Sequence, residues 1–209
     1  VKGTEVRVNN NTIVVEGKYT SFVYAINGLG MADVNITNNR IEAYSERYIA
    51  GIQVGSDFTS GIDGANVLIA NNTIIGNSKN LTDLPDNEAM AYGIISSTMG
   101  GSACENITII NNNIAMNATV GYGLELYTTN KVKVINNTIT MRAPYAMGMG
   151  FAHATENIID SNNITTYGDS SVGIQGVVEE IQPANVGIQI QQESDDTNKT
   201  LAAYKYSKE

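Results

Sequence analysis

The chain has 209 residues, a formal net charge of −9 at pH 7 and one cysteine. Proteins that bind phosphate backbones or anionic membrane surfaces cluster Lys and Arg, so this acidic balance argues against nucleic acid as a partner. No apolar run approaches the ~20 residues of a helical membrane span, and the chain opens on Val1 without a signal-peptide core, so we expect no membrane span in this segment. Cys104 allows no internal disulfide and is expected to be a packed thiol.

A short pattern, apolar-x-apolar-x-x-Asn-x-Ile, recurs six times along the chain. The first copy runs from Val6 to Ile13, and the sixth, from Asn157 to Ile164, begins with a polar residue. The asparagines of the six copies are Asn11, Asn39, Asn72, Asn112, Asn137 and Asn162. Each unit is too small to bury its own apolar face, so the repetition predicts a solenoid in which neighbouring units stack.

A second element lies between the copies, a triplet in which a small residue precedes an apolar one. The triplets begin at Tyr24, Ala50, Tyr92, Tyr122, Tyr145, Val172 and Val186. Both elements alternate apolar and polar residues, and no segment keeps a helical period, so each repeat is predicted to contain at least two short strands. Because successive asparagines are as few as 25 and as many as 40 residues apart, we expect inserted loops, near 55–64 and 76–90.

These patterns predict an all-β fold, a parallel β-helix of about six to seven coils over residues 1–191, with a polar cap or linker at 192–209. Parallel strands about 4.8 Å apart place equivalent side chains above one another. A buried Asn can pass a hydrogen bond to the Asn of the next coil, and Asn also tolerates the left-handed backbone of a sharp corner. We therefore predict an internal Asn ladder in which one residue type meets both needs.

A leucine-rich repeat is the alternative solenoid, because it shares the spacing of the pattern and has a period of about 20 to 29 residues. It requires one strand and a leading leucine motif in each unit. This chain has far more Ile than Leu and a second strand in each repeat, so the β-helix is favoured.

The sequence Val-x-Ile-x-Asn-Asn-x-Ile followed by Tyr-Gly-Ile resembles the right-handed parallel β-helix repeats of pectate-lyase-like proteins. The abundance of Asn and Ile is similar to that of adhesin-like surface proteins of methanogenic archaea. The resemblance extends over roughly residues 5–190 and implies a right-handed solenoid. It does not define an activity, because that fold hosts lyases, hydrolases, epimerases, phage spikes and passive stalks.

If the apolar residue of each triplet points inward, the following residue belongs to an outward column. That column is predicted to be Asn27, Gln53, Ile95, Glu125, Gly148, Gln175 and Gln189. A glycosidase needs two carboxylates about 5 to 9.5 Å apart, and only Glu125 in this column is acidic. The calcium-binding acid cluster that the resemblance implies for a lyase does not occur in the column either.

The predicted ligand surface is a patch around Glu125, and we predict no catalytic, cofactor-binding or metal-ligating residue. His153, the single histidine, has no partner carboxylate at a recognisable spacing, so a surface or loop histidine is favoured over a general base. Asp57 and Asp63 lie in a loop without the ordered spacing of calcium ligands. The residues of the predicted ligand surface are Gln53, Glu125, Tyr127, His153 and Gln175.

Four tyrosines stand two residues before the inward residue of their triplet, so they should face the same side of the strand. They are Tyr24, Tyr92, Tyr122 and Tyr145. That position favours an aromatic stack in the core over an exposed platform for sugars. The Gly or Ala that follows each tyrosine has two explanations, which are crowding where the strand bends and a smooth groove for a ligand.

Asn-x-Ser/Thr triplets are dense in this chain. They arise either from its Asn- and Thr-rich composition or from real glycosylation of a secreted protein. The four predicted acceptors are Asn35, Asn80, Asn106 and Asn117. Both explanations are compatible with the extracellular or cell-surface location that we expect.

Two functions from different classes fit the sequence. The first is a non-catalytic, adhesin-like β-helix module that binds a glycan or a surface protein or acts as a stalk. The alternative is a carbohydrate-active lyase, hydrolase or epimerase whose site uses loop residues such as Asp83, Asp86 and Glu88. Open coil ends that pair with a further protomer are a third hypothesis, because exposed strand edges invite pairing.

Overall fold

The computed structural model describes residues 5–17, 22–56, 64–78, 89–96, 104–177, 184–193 and 205–206, with the backbone alone at 152–153, 155 and beyond 175. Every regular element in these ranges is a β-strand, and the pairings are parallel apart from one short antiparallel pair near the C-terminal end. The prediction of an all-β, parallel architecture is confirmed. The arrangement is solenoid-like and compatible with a β-helix.

The parallel pairings form three rows of strands. The first row contains β1 (Val6–Asn9), β4 (Ala32–Thr37), β7 (Ala65–Ala70), β10 (Cys104–Ile110), the second half of β12 (Val120–Ile135) and the start of β15 (Ile158–Tyr167). The second row contains β2 (Thr12–Glu16), β5 (Arg40–Ser45), β8 (Thr73–Ser78), β11 (Asn113–Asn117), β13 (Thr138–Arg142), the end of β15 and β17 (Ala184–Glu193). The third row contains β3 (Phe22–Leu29), β6 (Tyr48–Gly55), β9 (Met90–Ser96), the first half of β12, β14 (Tyr145–Thr155) and β16 (Ser170–Val177).

The repeat pattern determines which side chains form the core. The two apolar positions of each copy and its final Ile align from strand to strand, as in the register of Val67 with Ile107 and of Ile74 with Ile114. These side chains are buried in one continuous apolar cluster. Stacking identical β-branched residues in columns suits the pleated surface, where they pack well against neighbours.

The asparagines of the repeat hydrogen-bond to one another in series between the first and second rows. Asn39 Nδ2 donates to Asn72 Oδ1 at 3.0 Å, and Asn72 Nδ2 donates to Asn112 Oδ1 at 2.9 Å. Each of these oxygens also accepts the backbone N–H of the preceding Asn, and each Nδ2 also donates to a backbone carbonyl. The same arrangement continues to Asn137 and Asn162, so the polar groups of these buried amides are satisfied.

The sharp corner beside each of these amides is made by the residue before it, not by the repeat Asn itself. All six of these corner residues have φ between 54° and 58°, namely Asn10, Asn38, Asn71, Asn111, Asn136 and Ser161. Such left-handed values favour Asn, whose short polar side chain hydrogen-bonds locally. The two tasks thus fall to adjacent residues, and Asn supplies both of them in every copy but the sixth, where Ser161 makes the corner.

Glycines in the third row are required by crowding at the turn of each strand. A Cβ on Gly123 would lie 2.3 Å from Ile139 Cγ2 and 2.5 Å from the carbonyl oxygen of Gly148, and Gly93 is equally confined. These distances are shorter than any ordinary contact. Of the two explanations for the small-residue column, crowding is the one that holds for these glycines.

The register of β14 differs from the sequence prediction by two residues. Met147 aligns with Tyr122 and Met149 aligns with the buried Leu124. The triplet in this strand is thus Met147-Gly148-Met149, rather than the one that begins at Tyr145. Gly148 takes the crowded position, where a Cβ would lie 2.2 Å from Ile164 Cγ2.

The strands near the C-terminal end differ from the sequence prediction. β17 pairs with β15, and Gln189 aligns with Asn163, so Gln189 does not continue the column of Gln175 as expected. β18 (Lys205–Tyr206) pairs antiparallel with β17. The division into a β-helix at 1–191 and a cap at 192–209 stays a prediction, since most of the second segment lies outside the described residues.

Candidate functional site

The outer face of the third row carries most of the aromatic residues that the structure describes. Tyr24, Tyr92 and Tyr122 occupy one register column, and they pack in an apolar cluster separate from the main core. The prediction that they stack inside the core is wrong. At each crowded glycine two successive residues face inward, as Gly51 and Ile52 do, and this break in alternation turns the tyrosines outward.

The tyrosine rings contact one another along the direction in which the strands succeed each other, with the Tyr24–Tyr48 and Tyr48–Tyr92 pairs tilted and the Tyr92–Tyr122 pair stacked face to face. Tyr48 lies 5.5 Å from Tyr24 and 5.3 Å from Tyr92 between ring centroids, and Tyr92 lies 5.0 Å from Tyr122 with an interplanar angle of 4°. Ring faces that cover each other are not available to a ligand. The series of rings ends at Tyr122, because the next residue of the column is Met147.

A second outward column runs beside the tyrosines, and its register also differs from the prediction. Glu125 aligns with Gly150, and Gly150 aligns with Gln175. The predicted member, Gly148, lies in the crowded column instead. The carboxylate of Glu125 and the amide of Gln175 thus flank a position without a side chain, with their Cα atoms about 10 Å apart at two strand spacings.

The missing side chain at Gly150 opens a recess of about 170 Å³ in the outer face. Drug-sized pockets measure about 300 to 1,000 Å³, so this one takes a single small chemical group. Besides Gly150, its lining consists of Tyr122, Glu125, Tyr127, Met147, Phe151 and Gln175.

Glu125 is a half-buried carboxylate in an aromatic environment. Burial raises the pKa of Glu125 above its ordinary value, because a charged carboxylate loses hydration there. Burial raises the pKa of the Tyr92 and Tyr122 hydroxyls as well, and the Glu125 carboxylate raises both further. Both tyrosines therefore stay neutral at physiological pH.

The arginines of the described ranges contact residues other than Glu125. Ion pairs join Arg7 to Glu5 and Arg40 to Glu42. The Arg142 guanidinium lies 3.9 Å from the ring centroid of Tyr167, and Arg47 lies over Phe22. In this part of the chain Glu125 therefore has no cationic partner within salt-bridge distance.

The structure brings together three of the five residues of the predicted ligand surface. Glu125, Tyr127 and Gln175 line the recess, and Tyr127 is 46% exposed. Gln53 lies in the same column as Glu125 but is only 6% exposed, so it offers little surface to a ligand. In β14 it is Ala152 that aligns with Tyr127, and the side chain of His153 lies outside the described residues.

Two sets of loop residues lie outside the described residues. They are Asp83, Asp86 and Glu88 of the catalytic alternative, and Asp57 and Asp63, which were considered as calcium ligands. Among the residues that are described, no three His, Cys, Asp or Glu side chains gather as a metal site. The described ranges also contain no helix suited to crossing a membrane.

The predicted glycosylation acceptors differ in exposure. Asn117 and Asn106 are exposed, and the Nδ2 atom of Asn106 donates a 2.8 Å hydrogen bond to Asn66 Oδ1. Asn35 is half-buried in β4, and Asn80 lies outside the described residues. Glycosylation stays a prediction at all four.

Cys104 is buried, as expected for a packed thiol, and burial raises its pKa to about 11. It takes no part in the outer face.

Sequence reasoning missed Tyr48, Met147, Phe151 and Gly150. Tyr48 precedes Ala50 by two residues and could have been found from the period of two along a strand. Gly150 could have been found only with the correct register of β14.

Comparison with protein families, curated proteins and solved structures finds no match for this chain.

Proposed function

We propose that the protein is a non-catalytic, adhesin-like β-helix module that binds a glycan or a surface protein through the outer face of the third row. In this proposal the chain is a right-handed parallel β-helix of about six to seven coils, and the repeat asparagines form a continuous ladder. The in-series amide hydrogen bonds support the ladder, and the resemblance to pectate-lyase-like repeats supports the handedness.

The observation that carries the binding function is an apolar, aromatic outer face with a recess that contains a single carboxylate. Phe22 and Tyr145 on this face are each 58% exposed, and Tyr127 adds a third exposed ring. Exposed aromatic surface of this kind favours interaction with a ligand or a partner. Hydrolysis of a glycosidic bond requires a second carboxylate, and Glu125 is alone in its column.

We place the protein outside the cell or on its surface in this proposal. The density of Asn-x-Ser/Thr triplets and the resemblance to archaeal adhesin-like proteins support that location. Association of protomers through the open edges of the first or last coil stays compatible with it.

A binding assay combined with a turnover assay tests the function. The wild type and the Tyr127→Ala variant are applied to arrays of glycans and surface proteins, with Val14→Ala as the control because Val14 is an exposed apolar residue of the second row. We expect retention to fall for Tyr127→Ala only. The same samples are incubated with mixed polysaccharides and analysed for new reducing ends and unsaturated products.

The catalytic alternative makes the opposite prediction. A carbohydrate-active enzyme would release product, and turnover abolished by Glu125→Gln would overturn the non-catalytic proposal. Turnover that survives Glu125→Gln would overturn it too and would direct attention to the loop residues Asp83, Asp86 and Glu88.

A further inference from the structure

We propose that the recess at Gly150 binds an organic ammonium group, with Glu125 as its counter-ion and the ring of Tyr122 as an aromatic wall. This inference rests on the proposed role of the outer face as a binding surface and names the chemistry of the ligand.

The recess exists because of a glycine that the fold does not require. A Cβ on Gly150 would approach only the movable Sδ atom of Met147 at 2.8 Å, and its other neighbours would be 3.9 Å away. At Gly123 and Gly148, by contrast, a Cβ would collide with backbone oxygens at 2.5 Å. Gly150 thus leaves space at an outward position where the neighbouring strands carry Glu125 and Gln175.

The walls of this space match a cation. The ring of Tyr122 borders the recess, because its Cδ1 atom lies 3.9 Å from the position of a Cβ on Gly150, and the exposed ring of Tyr127 belongs to the lining as well. The negative face of an aromatic ring attracts an ammonium ion, and such rings form the cages that recognise methylated amines and choline. The polarizable thioether of Met147 completes an apolar environment suited to N-methyl groups.

Glu125 supplies the charge that an ammonium ion needs. A half-buried carboxylate without a cationic partner among the described residues is costly, and a bound cation would offset that cost. The raised pKa of Glu125 reflects the same uncompensated burial. A neutral sugar would gain hydrogen bonds at this position but would leave the charge unpaired, so an ammonium group fits the site better. The net charge of −9 adds a general attraction for cations.

Titration with choline and with its neutral isostere 3,3-dimethylbutan-1-ol, followed by NMR, tests the inference. The two probes share their shape, so a difference between them reports the charge. We expect choline to shift the resonances of Tyr122 and Gly150 and to bind at least tenfold more tightly than the isostere. Glu125→Gln should weaken choline binding at least tenfold, whereas Glu105→Gln, which removes an exposed carboxylate, should leave it unchanged. Gly150→Ala should reduce it by narrowing the recess.

Further titrations distinguish the sources of the ammonium group. Glucosamine, a trimethyllysine peptide and phosphatidylcholine vesicles present the same chemistry on a sugar, a protein and a lipid. Equal affinity for choline and its isostere, or choline binding unaffected by Glu125→Gln, would overturn the inference. If choline does not bind but Tyr127→Ala still lowers retention on the arrays, the inference fails while the binding function stands. Turnover of polysaccharides would overturn the binding function by itself.

Discussion

Replacing Asn112 by Leu tests the hydrogen bonds that connect the strands of the solenoid. The side-chain oxygen of Asn112 accepts the backbone N–H and the Nδ2 group of Asn72, each at 2.9 Å. Its own Nδ2 donates to Asn137 Oδ1 at 3.0 Å and to the carbonyl of Ile69 at 2.9 Å. Leucine has the same branched arrangement of side-chain heavy atoms and keeps none of these bonds.

The cost follows from the groups that lose their partner inside the protein. The backbone N–H of Asn72 loses the acceptor that Asn112 provided, and a buried unsatisfied donor costs about 1 to 3 kcal/mol. Asn72 Nδ2 keeps the carbonyl of Ile36, and Asn137 Oδ1 keeps the backbone N–H of Asn112. Each of these loses one bond with a net contribution of about 1 kcal/mol. The total loss is roughly 3 to 5 kcal/mol, large against a typical stability of about 5 to 15 kcal/mol.

Equilibrium unfolding in urea or guanidinium chloride measures this loss, with Asn113→Leu as the matched control. Asn113 is the next residue in the chain, and its side chain is exposed. A surface substitution should change the free energy of unfolding by at most about 0.5 kcal/mol. Equal stabilities of the Asn112→Leu and Asn113→Leu variants would refute the claim that the buried amides hold the strands together.

Three more predictions concern other parts of the fold. Gly123→Ala should lower the free energy of unfolding by about 1 to 3 kcal/mol through overpacking, while Gly150→Ala should change it by less than about 1 kcal/mol. Similar losses for the two variants in urea denaturation would contradict crowding at Gly123. Burial raises the pKa of Glu125, so its carboxyl group ionises more readily in the unfolded chain than in the folded protein. The free energy of unfolding is therefore highest at low pH, where the carboxyl group is neutral in both states, and it falls as the pH rises through the folded-state pKa. Glu125→Gln should therefore be more stable than the wild type at pH 7, with the difference vanishing near pH 4 in thermal unfolding; a stability gap independent of pH would argue against this. Cys104, with its pKa near 11, should react with a thiol reagent at pH 8 at least about a hundredfold more slowly in the native than in the unfolded protein, and fast native labelling would show that the thiol is accessible.

The parts of the fold that repeat were predictable from the sequence. An Asn that recurs between apolar residues has few stable places in a protein, because its buried amide must find partners, and stacking it on its own copies provides them. The sequence does not show which of two adjacent asparagines makes the corner. Asn71 and Asn72 are the same residue type, and only the backbone shows that the first adopts φ 56° while the second forms the hydrogen bonds.

The candidate site depended on a register that the sequence leaves ambiguous. Both Tyr145-Ala146-Met147 and Met147-Gly148-Met149 satisfy the rule of a small residue before an apolar one. The physical requirement is stricter, because a Cβ at this position meets Ile164, and only the second triplet has glycine there. The correct register places Gly150 between Glu125 and Gln175 and so creates the recess, which no pattern of residue types in the sequence reveals.

Cross-linking at exposed, aligned positions tests the in-register stacking on which the fold and the recess both depend. Asn113 and Thr138 are exposed partners on adjacent strands, where parallel spacing of about 4.8 Å lies within the range that a disulfide can span. Under mild oxidation the Asn113→Cys/Thr138→Cys variant should form an internal disulfide in nearly all molecules. The Asn113→Cys/Thr140→Cys variant is shifted by two residues to about 8 Å and should not. Equal cross-linking in the two variants, or cross-linking only in the shifted one, would contradict the stacking of equivalent residues.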